Sequence, residues 1–441
     1  MNGVSPDGET RAQLSAFSVL LVTDVYPPDC GGSGWSTHAL ARMLDERGHP
    51  VEVVSLDPSR DGFTQRVFEG INVVEVGTRR ARRNPMRRFG RRDYAHDLLQ
   101  RYLEERLSQQ PEVRLVHGQH LHSGPPAVFA AARHNRGSVV TLRDYWPVCL
   151  HGTSWWNGKE CPGCTTANIT GCMHAVRRWP KPLARLMVPW VRRRLGARRE
   201  GIETAGCTTT VSRWVRQRIE SESPTAIYQV LPNIVDADLT AATARSATPL
   251  ELPFEGEYLV AAGKLVGTKG FGRMLSALED AGCTLPVVVA GAGPDLDRLR
   301  RQADALPFDV YLPGWVPHTS LLHLIDGAHA FLLPSAWNEP LSRLLLEAMA
   351  LATPVITWRS GGNPEHLQPG VDAFVVDDAA DLRRALDDLA RPGRAQDVGR
   401  AGERTARDRF APATVYPRLL EVYRAAMRRA DQSGGSDGQR G

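Results

Sequence analysis

Lysine is almost missing from this chain. Only Lys159, Lys181, Lys264 and Lys269 occur among its 441 residues, so arginine carries nearly all the positive charge. Arginine count alone therefore says little about partners, and a formal net charge of +5 is mild for the length. No apolar run approaches the ~20 residues that a membrane-spanning helix needs. The first fifteen residues are polar and lack the apolar core of a secretion signal, which points to the cytoplasm. The seven cysteines are odd in number and accompany no such signal, so a disulfide framework is not expected. The pattern G-x-G-x-x-G follows neither of the two strands that would open a dinucleotide-binding unit, which counts against a nicotinamide-dependent dehydrogenase.

What is present reads as a two-domain globular protein. Hydrophobic residues make up 42% and charged residues 23%, and the length exceeds one ordinary core. After a polar, disordered 1–15, the strand "SVLLVTD" leads through a Pro/Gly loop into the amphipathic helix "WSTHALARMLDERGH" and the strand "VEVVSL". Apolar runs near Leu115 and Ser138 continue the alternation. Alternating strands and helices argue for a parallel sheet covered on both faces. The Ala/Thr/Pro-rich 236–256 reads as a linker between a first domain, 16–235, and a second, 257–411. The second restarts the alternation with "YLVAAG", "PVVVAG", "DVYLPG", "AFLLPS", "TPVITW" and "DAFVVD". A helix at 412–430 and a disordered tail at 431–441 close the chain. The expected fold is α/β, with two tandem Rossmann-like, doubly wound domains. Such sheets bind ligands at the carboxyl ends of their strands, so the interdomain cleft is the expected site.

The segment "LLPSAWNEPLSRLLLEAMALATPVI" carries the chemistry. A strand ends at Pro334, and Pro340 suits the first turn of a helix whose N-terminus would face an anion. Glu339 precedes that helix and Glu347 lies within it; eight helical residues span about 12 Å, comparable to a diphosphate between a sugar and a ribose. Two of the four lysines, Lys264 and Lys269, stand in "AAGKLVGTKGF" at the end of a strand, where ammonium groups suit a leaving diphosphate. Gly31 and Gly32, between strand and helix in the first domain, allow a phosphate to approach the backbone closely.

These pieces resemble the family 4 glycosyltransferases of the two-Rossmann (GT-B) architecture, from about Val19 to Tyr423. The resemblance rests on "YPPDCGGSGWSTHALARMLDERGHPVEVVS", "LPNIVD", "GKLVGTKGF", "VVVAGAGPD" and "NEPLSRLLLEAMALATPVI". It implies that Glu339 sits at the transferred sugar, that Glu347 binds the ribose, and that Lys264 and Lys269 meet the diphosphate. By the same resemblance Gly31 and Gly32 form the donor glycine loop. Leu341, Ser342 and Arg343 offer backbone amides to the donor, and Gly314 to Val316 pack on the nucleobase. It further implies transfer with retained configuration and no cofactor.

His117, His120 and His122 fall within "VHGQHLHSG" after a first-domain strand, and the family places a histidine there near the reacting sugar; His120, then His122, is the expected one. The insert 145–175 carries Cys149, Cys161, Cys164 and Cys172 in the spacing C-x11-C-x2-C-x7-C, which suits a structural zinc. A subset of the family is similar in having a cysteine-rich insert after "HDYW"; Arg143 stands here in place of that histidine. The expected partners are a nucleotide-sugar donor and a hydroxyl acceptor, whether glycan, lipid-linked or natural product. The arginine run Arg79–Arg92 would suit a peripheral contact with an anionic membrane, and no nucleic-acid motif accompanies it. A nucleotide-sugar epimerase and a non-catalytic nucleotide-sugar-binding protein are the alternatives on the same fold.

Overall fold

The computed structural model describes residues 16–79, 96–156 and 158–437. The first sheet has eight strands: β1 (Ser18–Thr23), β2 (Val51–Asp57), β3 (Asp61–Phe68), β4 (Ile71–Thr78), β5 (Val113–Gly118), β6 (Gly137–Leu142), and, after the two short insert strands β7 (Trp155–Trp156) and β8 (Lys159–Glu160), β9 (Cys207–Thr210) and β10 (Tyr228–Val230). Their order is β10-β9-β6-β5-β1-β2-β4-β3, and only the β3–β4 edge is antiparallel. The second sheet comprises β11 (Leu259–Ala262), β12 (Val287–Ala290), β13 (Val310–Gly314), β14 (Ala330–Leu333), β15 (Val355–Trp358) and β16 (Phe374–Val376), all parallel, in the order β13-β12-β11-β14-β15-β16. The expectation of two doubly wound domains is therefore met.

The central strands are short, fully buried apolar runs, as strands covered on both faces must be. β3 was not foreseen because it is mostly exposed and reads as a polar edge, "DGFTQRVF". In each sheet the chain reverses its winding at one point. In the first this lies between β1 and β5, and in the second between β11 and β14. Loops leaving the carboxyl ends at these points diverge and leave a crevice.

Two boundaries differ from expectation. The stretch 236–256 is not all linker: Ala237–Ser246 is a helix, capped by the Asp236 carboxylate on the Leu239 amide. A capping Asp at its start and buried Ala237, Thr240 and Ala244 on one face outweigh its loop-like Ala/Thr composition. The closing helix runs from Pro412 to Asp437, so 431–437 continue it rather than start a tail.

That last helix returns to the first domain. Val415, Leu419, Val422, Tyr423 and Ala426 join Val19, Leu115, Val139 and Cys207 in one core. Gly137 and Gly206 permit this, since a Cβ at either would come within about 3 Å of Met427 or Ala426. The chain thus crosses between domains twice, and the crossings touch: the Val235 amide donates to the Phe410 carbonyl at 3.0 Å.

Candidate functional site

A cavity of about 550 Å³ lies between the domains. Gly31, Gly32 and Trp35 form one wall, at the start of the helix Gly32–Asp45. The opposite wall brings Lys264, Val316, His318, Arg343 and Glu347 from four separate loops and helices of the second domain. The walls are close. A Cβ on Gly32 would lie 3.2 Å from the Cβ of Arg343.

Glu347 is the deepest charge in this wall, with 1% of its surface exposed. Its Oε1 accepts from Arg343 Nε at 2.7 Å and from His318 Nε2 at 3.0 Å. Burial pushes the carboxyl pKa up, but the charges and hydrogen bonds of His318 and Arg343 prevail and hold it below the usual value. Its Oε2 is buried and has no hydrogen-bond partner among the described residues, so one oxygen remains to accept from a ligand. His318, at the start of the helix His318–Asp326, was not foreseen; one more histidine beside a Pro-rich turn carries no signal. Its ring stacks on Trp35 of the opposite wall, with centroids 4.3 Å apart and planes at 26°.

The helix bearing Glu347 begins at Arg343, not near Pro340. Ser342 supplies the cap by accepting from the Leu345 amide, while the Ser342 amide itself donates to Asn363 Oδ1 at 2.9 Å. Of the three amides expected to face the donor, that one is already engaged. Leu341 is buried and its carbonyl accepts from Asn233 Nδ2 at 3.2 Å. Gly314 ends β13, and Trp315 and Val316 after it line the cavity.

Glu339 and Lys269 lie outside this cavity's lining. Lys269 ends a single 3-10 turn, Gly267–Lys269, and its Nζ pairs with Glu339 Oε1 at 2.6 Å. The other Glu339 oxygen accepts from the Ser335 hydroxyl. Glu339 is 7% exposed. Both of its oxygens are thus engaged, a state that a sugar hydroxyl or a diphosphate would have to share.

The histidines separate by role. His117 is core: its ring is held between the Tyr423 hydroxyl at 2.8 Å and Thr141 Oγ1 at 2.7 Å. His120 stands at the carboxyl edge of β1 and β5. Its Nδ1 accepts from the Asp24 amide at 3.3 Å and lies 3.0 Å from Thr23 Oγ1. A ring nitrogen that accepts from an amide carries no proton, so the proton of the neutral ring sits on Nε2. Burial pushes the pKa down to about 4, which keeps the ring neutral near pH 7. His120 is therefore built to donate from Nε2, which has no hydrogen-bond partner among the described residues. The His122 amide donates to Asp24 Oδ2 at 3.1 Å, which fixes the loop beside it.

Arg143 follows β6 and donates to Asn233 Oδ1 at 3.0 Å and to Gln119 Oε1, both neutral. Burial pushes its pKa down to about 9, and the Arg343 guanidinium across the cleft adds to the effect. The two domains therefore present like charges to each other here, as a site for an anion would.

The four insert cysteines line one small pocket with His151 and Trp156. Among the described residues, however, no group of three or more His, Cys, Asp or Glu is arranged to hold a metal ion. Burial pushes the Cys164 thiol up to about 11, with the neighbouring Cys149 and Cys161 adding to it, and its Sγ lies 3.6 Å from the Val148 carbonyl. The arrangement of the four cysteines thus gives the zinc expectation no support. The run at 80–92 lies outside the described residues. No described helix is long and apolar enough to cross a membrane.

Known proteins match the same two halves. Residues 30–239 match the model for Glycosyltransferase Family 4, and residues 246–404 that for glycosyl transferases group 1. Over 439 residues the chain is 28% identical to glycogen synthase of Mycobacterium tuberculosis, covering 93% of this chain and 95% of that protein. Over 237 residues it is 33% identical to the GDP-mannose-dependent alpha-(1-6)-phosphatidylinositol monomannoside mannosyltransferase of Mycolicibacterium smegmatis, covering 49% of this chain and 62% of that one. Among solved structures it is similar to Anabaena HepE in complex with UDP (15% identity, TM-score 0.62, covering 92% and 99% of the two chains). It is equally similar to sucrose-phosphate synthase from Thermosynechococcus elongatus (17%, TM-score 0.62, 92% and 98%).

Proposed function

We propose, on the premise that this chain is a GT4-like protein with the GT-B fold, that it is a retaining glycosyltransferase moving a sugar from a nucleotide-sugar donor to a hydroxyl acceptor. The observation that carries the reading is the cavity itself. It pairs a glycine-started helix and Lys264 with a buried carboxylate that keeps one oxygen unengaged. Cationic and N–H groups suit a diphosphate, and the unpaired Glu347 oxygen suits a ribose hydroxyl.

In the proposed reaction the acceptor hydroxyl attacks the anomeric carbon on the face from which the diphosphate departs. The new C–O bond forms as the bond to the diphosphate breaks, and the hydroxyl proton passes to a departing phosphate oxygen. Lys264 and Lys269 stabilise the negative charge that develops on that group, with Arg343 and Arg143 adding to the field. Glu339 orients Lys269 and meets the sugar; His120 donates from Nε2 to a sugar hydroxyl. No protein carboxylate need act as nucleophile. Donors of this class end in UDP in the HepE complexes and are named as GDP-mannose for the mycobacterial mannosyltransferase.

The test is a panel of nucleotide sugars assayed for nucleotide release with and without candidate acceptors, with the anomeric configuration of the product read by NMR. Acceptor-dependent release with retained configuration is the expected result. Acceptor-independent interconversion of the sugar would replace the transferase reading with an epimerase.

A further inference from the structure

We propose that the helical insert of the first domain is a docking surface for an anionic phospholipid bilayer. The inference does not depend on the donor or the reaction assigned above.

From Cys161 to Arg199 the chain holds nine lysines and arginines and not one aspartate or glutamate. Three helices lie here, Thr166–Arg177, Lys181–Leu186 and Val188–Glu203, the last running beyond the acid-free stretch to Glu200 and Glu203. Their inner faces satisfy each other, because Ile169, Met173, Ala184, Val188, Val191 and Leu195 form a separate small core. What remains outside is both basic and greasy. Leu186 is 76% exposed, Val176 53% and Leu183 46%, three of the few large aliphatic side chains left in solvent anywhere in the described structure. Arg178, Lys181, Arg185 and Arg193, in the same run of chain, are exposed as well, and among the described residues none of the four has an acidic partner.

Unneutralised cations alone would suit any polyanion. Interspersed aliphatic side chains cost exposure in water and gain nothing on a nucleic-acid backbone. On a bilayer they enter the interface while the cations meet anionic headgroups. Each such cation and each buried aliphatic adds to the partition, so a few of each suffice for reversible binding. The placement also has a use. The insert leaves the carboxyl end of β6, and at its root the Tyr145 hydroxyl donates to the Asn338 carbonyl at 2.6 Å, one residue from Glu339. A surface seated there on a bilayer would bring a membrane-borne acceptor to the cleft's edge.

The experiment is cosedimentation of the full chain with vesicles of phosphatidylcholine alone and vesicles enriched in phosphatidylglycerol, at low and high salt. The wild type should pellet with the anionic vesicles and release in salt. Leu183→Ser/Leu186→Ser and, separately, Lys181→Glu/Arg185→Glu should each lower the partition coefficient by about tenfold or more. All four positions are exposed, and an unchanged thermal melt verifies that each variant is folded. Equal pelleting with neutral vesicles, or variants that pellet like the wild type, would overturn the proposal. So would binding to duplex DNA that matches vesicle binding and ignores the two leucines.

Discussion

Glu347 keeps one oxygen between Arg343 and His318 and the other unused, and this division makes its role testable. Removing the carboxylate leaves the Arg343 guanidinium without its ion-pair partner in a nearly buried wall, a change that typically costs about 3–5 kcal/mol. Glu347→Ala should therefore lower the chemical-denaturation midpoint and abolish stabilisation by added nucleotide in the same melt. Its folded-state pKa is depressed. The ion pairs thus contribute fully above the ordinary carboxylate range and are lost only as pH falls through the lower folded value. The Lys269–Glu339 pair is a second case. Lys269→Ala and Glu339→Ala should each lower turnover by at least about tenfold, which is ~1.4 kcal/mol. Because the two side chains touch at 2.6 Å, the double variant should lose less than the sum of the single losses. Near-normal turnover in both single variants would remove the roles assigned to them.

Two glycines do the work of whole elements. Gly270 follows the Lys269 turn with φ of +77°, and a Cβ there would lie 2.0 Å from the Pro334 carbonyl oxygen. Gly270→Ala should cost roughly 1–3 kcal/mol of stability by forcing both the backbone and the loop after β14 to move; an unchanged urea midpoint would refute the packing argument. Gly32 has ordinary backbone angles, and what limits it is the opposite wall at 3.2 Å. Gly32→Ala should raise the donor KM while leaving the thermal midpoint nearly unchanged. Strand existence at this scale was legible because buried parallel strands are continuous apolar runs such as "LVAA" and "VVVA". The β3–β4 hairpin was not, because one exposed edge strand has no such run. The helix start at Arg343 was missed because Pro340 is a louder signal than a serine cap. Of the residues singled out by spacing, Gly31, Gly32, Lys264 and Glu347 line one cavity, whereas Glu339 and Lys269 pair with each other outside its lining. His318, Trp35 and Arg143 acquire meaning only when residues far apart in sequence meet, and no local pattern marks such meetings. The cysteine spacing does bring its four members to one small pocket, but not into an arrangement that holds a metal ion, because spacing fixes neighbourhood and not geometry.

Across the whole molecule, histidines set the expected response to acid. Burial depresses the pKa of His96 to about 3 and of His120 and His366 to about 4, and it holds His117 well below the ordinary imidazole value. In the unfolded chain each would protonate near pH ~6.5. Between about pH 6.5 and 4 the unfolded state therefore binds up to four protons that the folded state refuses, and stability falls as pH falls. Asp144, raised by burial to about 6, works the other way and offsets about one of them. The urea midpoint should drop clearly from about pH 7 to about pH 5, and a flat profile across that window would contradict the buried placements. His117 ties this behaviour to the closing helix, whose Tyr423 hydroxyl is its partner. That helix has a consequence for synthesis. Leu115, Val139 and Cys207 leave the ribosome early, but the side chains that cover them, Val415 to Ala426, emerge only after the entire second domain. At ~5–20 residues per second, the underside of the first sheet waits on the order of ten to forty seconds for its lid. The second domain, although made later, can therefore finish folding first.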